Sequence, residues 1–157
     1  MEITTKSATE TAQFGQKLAI ALTQWGSGER ARVIGLSGEL GSGKTTLVGG
    51  IAQGLGITDR ILSPTFIIVR QYECSGDFPK IFYHMDLYQL DPNGGNTEFG
   101  IDEILTDPLA LVCIEWIERF PQLSEYVDIS IALTQQSESV HTISVNSRST
   151  QSIILEV

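Results

Sequence analysis

Eight consecutive residues, Gly38-Glu39-Leu40-Gly41-Ser42-Gly43-Lys44-Thr45, fit the pattern G-x-x-x-x-G-K-[ST] without substitution. Glycines so placed let successive backbone amides turn inward around phosphate oxygens, where bulkier side chains would clash. The lysine supplies a point charge to the outer phosphates of a nucleotide, and the hydroxyl after it can ligate Mg²⁺. Such a site also needs a carboxylate at the end of a neighbouring strand to hold the metal directly or through water. Glu115, which closes the apolar run Leu109–Ile114, suits that role best, and Asp86 stands where the run Ile81–Met85 stops. Carboxylates also end strands as plain solvated stops, so both readings stay open on spacing alone. Thr65, in Ser63-Pro64-Thr65-Phe66, offers a loop hydroxyl able to sense a γ-phosphate or Mg²⁺; an ordinary polar turn explains it almost as well. His84 shares a strand face with Asp86, and Trp116 follows Glu115. A packed, hydrogen-bonded histidine and a core aromatic are their plainer readings.

These groups need elements to hold them. Arg32–Ser37 reads as a strand, and Leu47, Ile51 and Leu55 recur at helical spacing until Gly54 and Gly56 stop the helix. Strand, glycine loop and helix thus follow in the order of an α/β nucleotide-binding unit. Upstream, Ser7-Ala8-Thr9-Glu10 has the form of a capping box, and Phe14, Leu18, Leu22 and Trp25 mark an amphipathic helix that runs to Gly26. Downstream, Phe66–Tyr72, Ile81–Met85 and Leu109–Ile114 read as strands, the last apolar enough to be central and buried on both faces. Asp91–Asn96 is a turn cluster, followed by a short acidic helix around Ile101–Leu105. Asp128–Leu133, His141–Asn146 and Ile153–Val157 suggest short antiparallel strands. The expected fold is α/β: a single P-loop NTPase domain over residues 1–157, with a mixed, mainly parallel central sheet flanked by helices and short antiparallel C-terminal strands.

Charge narrows the partners. The 157 residues carry 10 Lys+Arg and 19 Asp+Glu, a formal net charge of −9. From residue 81 onward only Arg119 and Arg148 are cationic, and Ile81–Glu118 holds eight carboxylates with no Lys or Arg. Gripping nucleic acid directly requires clustered cations, which this distribution lacks. A small-molecule kinase shares the glycine loop but needs cations to hold a second anion, and a GTPase would carry an N-K-x-D guanine reader, which is absent. The first dozen residues show no apolar signal core, the longest apolar run is too short to cross a bilayer, and the only cysteines, Cys74 and Cys113, sit in unlike settings. A cytoplasmic chain with reduced thiols and no membrane association is expected.

The order of the Gly38–Thr45 loop, Ser63-Pro64-Thr65-Phe66, His84-Met85-Asp86-Leu87-Tyr88, Gly100-Ile101-Asp102 and Glu115-Trp116 resembles the TsaE family of bacterial tRNA threonylcarbamoyladenosine biosynthesis ATPases, from the first helix to about Arg119. The resemblance implies a small ATPase that uses ATP and Mg²⁺ and works with the TsaB–TsaD pair, which transfers threonylcarbamoyl to an adenosine of tRNA. The chain would not be the transferase, and tRNA would be reached only through its partners. The resemblance implies Glu39, Leu40, Gly41, Ser42, Gly43, Lys44, Thr45 and Thr46 as nucleotide binders, and Thr45 with Glu115 as the Mg²⁺ pair. It further implies Lys44, Thr65, Asp86 and Glu115 as the residues that support hydrolysis, with Trp116 beside them and Ser7–Thr11 near the adenine. Two positions depart from the family pattern: Gln89 stands where Arg commonly follows Asp-Leu-Tyr, and Ile117 where Pro usually follows Glu-Trp. The alternatives are a small-molecule P-loop kinase and a nucleotide-gated binding module without significant turnover. The acidic stretch is expected to meet a basic surface on the partner complex.

Overall fold

The computed structural model describes residues 1–62, 68–94 and 99–148. Within them one sheet is built from β1 (Glu2–Thr5), β2 (Arg32–Ser37), β3 (Val69–Glu73), β4 (Ile81–Asp86), β5 (Ala110–Glu115), β6 (Ile129–Gln135) and β7 (His141–Ser147). The helices are α1 (Ala8–Thr23), α2 (Lys44–Gly54) and α3 (Ile101–Thr106), with 3₁₀ turns at Ile117–Arg119 and Pro121–Tyr126. The strand order is β1-β7-β6-β2-β5-β4-β3. β6, β2, β5 and β4 are parallel neighbours at the centre, while the outer pairings β1–β7, β6–β7 and β3–β4 are antiparallel.

Burial follows from this arrangement. Every residue of β5 is buried, because helices or turns cover both faces of a central parallel strand. On one face Ile34, Leu36, Leu111 and Cys113 pack under Phe14, Leu18 and Leu22 of α1 and Leu47 and Ile51 of α2. On the other, Val33, Val112 and Ile114 meet Ile101 and Leu105 of α3 and Phe120 and Leu123 of the 3₁₀ turns. The register sets Leu36 and Asp86 beside Glu115. The carboxyl ends of β2, β4 and β5 therefore finish at one edge, where the glycine loop leaves β2 and where ligands of open α/β sheets bind.

The elements depart from expectation in informative ways. The first helix begins behind Ser7, whose Oγ accepts the Glu10 amide at 3.1 Å, but the Glu10 carboxylate accepts the amide of Lys6 at 2.7 Å, not that of Ser7 as in a full capping box. β1 is not legible in the sequence: it is four residues long and is completed by β7, some 140 residues away along the chain. β6 is antiparallel to β7 but parallel to β2, so the C-terminal strands extend the central sheet. β3 runs one residue beyond the expected Tyr72. Ser63-Pro64-Thr65-Phe66, Gly95-Asn96 and the strand expected at Ile153–Val157 lie outside the described residues.

Candidate functional site

Behind Ser37 the chain turns at Gly38, where φ is +136° and a Cβ would stand 2.2 Å from the carbonyl oxygen of Leu133. Only glycine can pass β6 so closely. The loop then closes on itself. The Ser42 amide donates to the Glu39 carbonyl at 3.1 Å, and the Lys44 ammonium donates to the carbonyls of Gly38 and Glu39 at 2.6 and 2.9 Å. α2 starts at Lys44 behind Gly43, with no capping side chain bonded to its first amides. Its positive end is left without a local acceptor, the arrangement that suits an anion.

Lys44 is 5% exposed, and its ammonium lies 4.1 Å from the centre of the Trp116 ring. Trp116 reaches over it because its own backbone is left-handed, at φ 64°. A non-glycine residue there stores about 1–3 kcal/mol of strain, a feature that clusters at functional sites. Burial pulls the Lys44 ammonium below its ordinary pKa, opposed by the carboxylates of Glu115, Glu118, Asp86 and Glu39.

Glu115 ends β5 at 2% exposure. The Thr45 hydroxyl donates to its Oε1 at 3.1 Å, and His84 Nε2 lies 2.7 Å from the same oxygen. Asp86, next to Glu115 in the register, accepts the Tyr88 amide at 2.9 Å. A cleft of about 480 Å³ opens among these groups, walled by Leu40, Gly41, Gly43, Lys44, Thr45 and Thr46 on one side and Asp86, Tyr88, Glu115 and Trp116 on the other. Glu39 and Ser42 lie off its wall. Glu39 hydrogen-bonds Lys44 through its carbonyl, and Ser42 is buried within the loop. Thr65 lies outside the described residues. Of the Ser7–Thr11 stretch, Thr11 comes beside the loop, its methyl 3.9 Å from the Cβ position of Gly43.

Sequence reasoning missed Glu118, whose Oε1 accepts the Gly38 amide at 3.2 Å. No local pattern separates it from the other carboxylates of the acidic stretch. It also missed the tilted contact of Tyr88 with Trp116, whose ring centres are 4.8 Å apart and planes at 41°. Arg119 lies over the Tyr88 ring and donates to the carbonyls of Tyr88 and Leu90. Gln89 is exposed. Ile117 packs where a Cβ on Gly35 would stand 3.1 Å from it, so an apolar contact holds the turn where the family pattern has proline.

The donors suit a hard cation: a hydroxyl 3.1 and 3.4 Å from the two oxygens of one carboxylate. Among the described residues no cluster of three or more His, Cys, Asp or Glu has the arrangement of a metal cage. Mg²⁺ needs none, because at phosphate sites it takes one or two protein oxygens and completes its shell with water and phosphate. Cys74 and Cys113 are free thiols, and no helix among the described residues is long and apolar enough to cross a membrane.

The family model described as "Threonylcarbamoyl adenosine biosynthesis protein TsaE" matches residues 5–143. A Synechocystis protein named tRNA threonylcarbamoyladenosine biosynthesis protein TsaE is 42% identical over 127 residues, covering 78% of this chain and 74% of its own length. Its namesake in Treponema pallidum is 34% identical over 146 residues, 92% of this chain and 99% of that one. A crystal structure of Bacillus subtilis YdiB matches with a TM-score of 0.71 at 25% identity, across 99% of this chain and 90% of that one.

Proposed function

The chain belongs to the TsaE family of tRNA threonylcarbamoyladenosine biosynthesis proteins, and from that premise we propose that it is an Mg²⁺-dependent ATP-binding protein and slow ATPase that acts on a TsaB–TsaD complex in the cytoplasm. The observation that carries this reading is the 3.1 Å contact between Thr45 and Glu115, which joins a loop and a strand end 70 residues apart beside the buried Lys44. Bound Mg-ATP supplies the transferable γ-phosphoryl group and its charge. The chain supplies the setting. The uncapped amides of α2 and the Lys44 ammonium bind phosphate oxygens, the ammonium exchanging its loop carbonyls for them. Glu115 takes the Thr45 proton into a hydrogen bond, which turns the hydroxyl lone pairs toward the cleft. Asp86 adds a second carboxylate suited to orient water, and Trp116 and Tyr88 wall the cleft beside it; from its sequence setting Thr65 is proposed to sense the γ-phosphate.

Slowness follows from where the arginines are. Among the described residues no arginine lines the cleft, and Arg119 spends its guanidinium on the carbonyls of Tyr88 and Leu90, which leaves it unsuited to act as an arginine finger. Phosphate-loop hydrolases without a finger turn over at roughly 10⁻⁴ to 10⁻² per second, and supplying one adds about 10³ to 10⁵. The isolated chain is therefore expected to hydrolyse ATP slowly and TsaB–TsaD to accelerate it, as phosphate-release assays with and without the pair would show. The deciding experiment combines TsaB, TsaD, an activated threonylcarbamoyl donor and tRNA, with and without this chain and ATP. Multiple-turnover modification should rise only with both; no rise would remove the proposed function.

Contact with the partners is assigned to the acidic stretch Ile81–Glu118. Its exposed carboxylates, Asp91, Asp102, Glu103 and Glu118, act over a Debye length of about 8 Å at physiological salt. Association measured by calorimetry should therefore weaken as NaCl increases, and salt-insensitive binding would return the stretch to solvated surface.

A further inference from the structure

We propose that His84 is a positioning residue, which holds the Glu115 carboxylate in the orientation where it meets Thr45 and so sets how strongly Mg²⁺ tightens nucleotide binding. This rests on the Mg-ATP reading above. The period of two along β4 places Phe82, His84 and Asp86 on one sheet face, and along β5 it places Leu111, Cys113 and Glu115 on the same face. His84 is fully buried and sends Nε2 to within 2.7 Å of Glu115 Oε1. Its Nδ1 has no hydrogen-bond partner among the described residues. The imidazole thus commits its one polar contact to the carboxylate, and this fixes the tautomer with the proton on Nε2, since Oε1 can only accept.

Without that bond little would fix the Glu115 head group. The terminal torsion of a glutamate is broad and roughly two-fold, and the Thr45 hydroxyl alone, at 3.1 Å from Oε1 and 3.4 Å from Oε2, discriminates weakly between the two oxygens. Partners of this kind, one shell behind a metal ligand, typically change metal affinity or activity by about 10- to 100-fold when removed.

The test measures binding of β,γ-imido-ATP to the full chain by calorimetry, with Mg²⁺ and in EDTA, for wild type, His84→Phe and His84→Gln. Phenylalanine fills the ring's space without an N–H, whereas glutamine carries an amide N–H to a similar reach as Nε2. His84→Phe should lose roughly 10- to 100-fold of the tightening that Mg²⁺ brings, bind normally in EDTA, and be rescued by His84→Gln. Retention of the full Mg²⁺ effect in His84→Phe overturns the proposal. So does a loss that glutamine does not rescue, or one that is equally large in EDTA, because those outcomes report packing. Should the variants not fold, the imidazole ¹⁵N–¹H correlations of the wild type decide. With only two histidines in the chain, His84 must show its proton on Nε2, and a proton on Nδ1 alone overturns the assignment. A wild type that binds no nucleotide in either buffer fails the Mg-ATP reading itself, and the spectrum still reports the His84–Glu115 bond.

Discussion

Lys44→Ala is expected to reduce ATP affinity by at least about 10²-fold, since each hydrogen bond from a charged group contributes about 1.5–3 kcal/mol and 1.4 kcal/mol is tenfold. The ammonium is buried at 5% exposure, bracketed by the carbonyls of Gly38 and Glu39 and the face of Trp116. Alanine removes both the charge and the tie that holds the loop's two carbonyls together. Arginine should not rescue it, because a planar guanidinium does not fit a pocket shaped around a point charge. Calorimetric titration reads the affinity, and the reconstituted tRNA reaction should fall to the level seen without the chain. If Lys44→Ala still supported repeated rounds of modification, the glycine loop would not be the site that matters.

Gly50→Ala should destabilise the protein by about 3 kcal/mol, against the ordinary rule that alanine improves a helix interior by roughly 0.5–1 kcal/mol. A Cβ on Gly50 would stand 2.1 Å from the Ala12 carbonyl oxygen, a backbone atom of α1 that cannot move aside alone. Gly15 and Gly54 lie in the same helix contact, with Cβ positions 2.5 Å from the Leu47 carbonyl oxygen and 2.7 Å from that of Gln16. Gly49 is the control one residue away: nothing stands within 4 Å of its Cβ position, so Gly49→Ala should follow the rule and stabilise. At roughly 2–4 °C per kcal/mol for a chain of this size, thermal melts should separate the two variants by about 6 °C or more, with opposite signs. Because α2 carries Lys44 and Thr45 at its first turn, displacing it from α1 should also weaken nucleotide binding.

Much of the site is legible in the sequence because its chemistry is local. The Gly38–Thr45 loop is contiguous, and its strand and helix flanks follow from short-range periodicity. Glu115 stands out because it ends an apolar run and Asp86 because a strand runs out at it, and parallel strands in register bring such ends together. β1 is hidden because four residues, only Thr5 of them buried, carry too little pattern until β7 pairs with them. Glu118 is one carboxylate among eight, and only the 3₁₀ turn behind Trp116 aims it at the Gly38 amide.

From residue types and spacing alone come the α/β class, the glycine loop and the candidacy of Lys44, Thr45, Asp86 and Glu115, since steric freedom, strand period and charge are properties of short segments. Tertiary structure decides what those residues touch. His84 joins Glu115 across two strands, Trp116 adopts a left-handed backbone that places its ring over Lys44, and α1 crosses α2 at a distance only glycine permits. Such contacts depend on the register and twist that a whole sheet settles together, and a segment of a few residues carries no record of them.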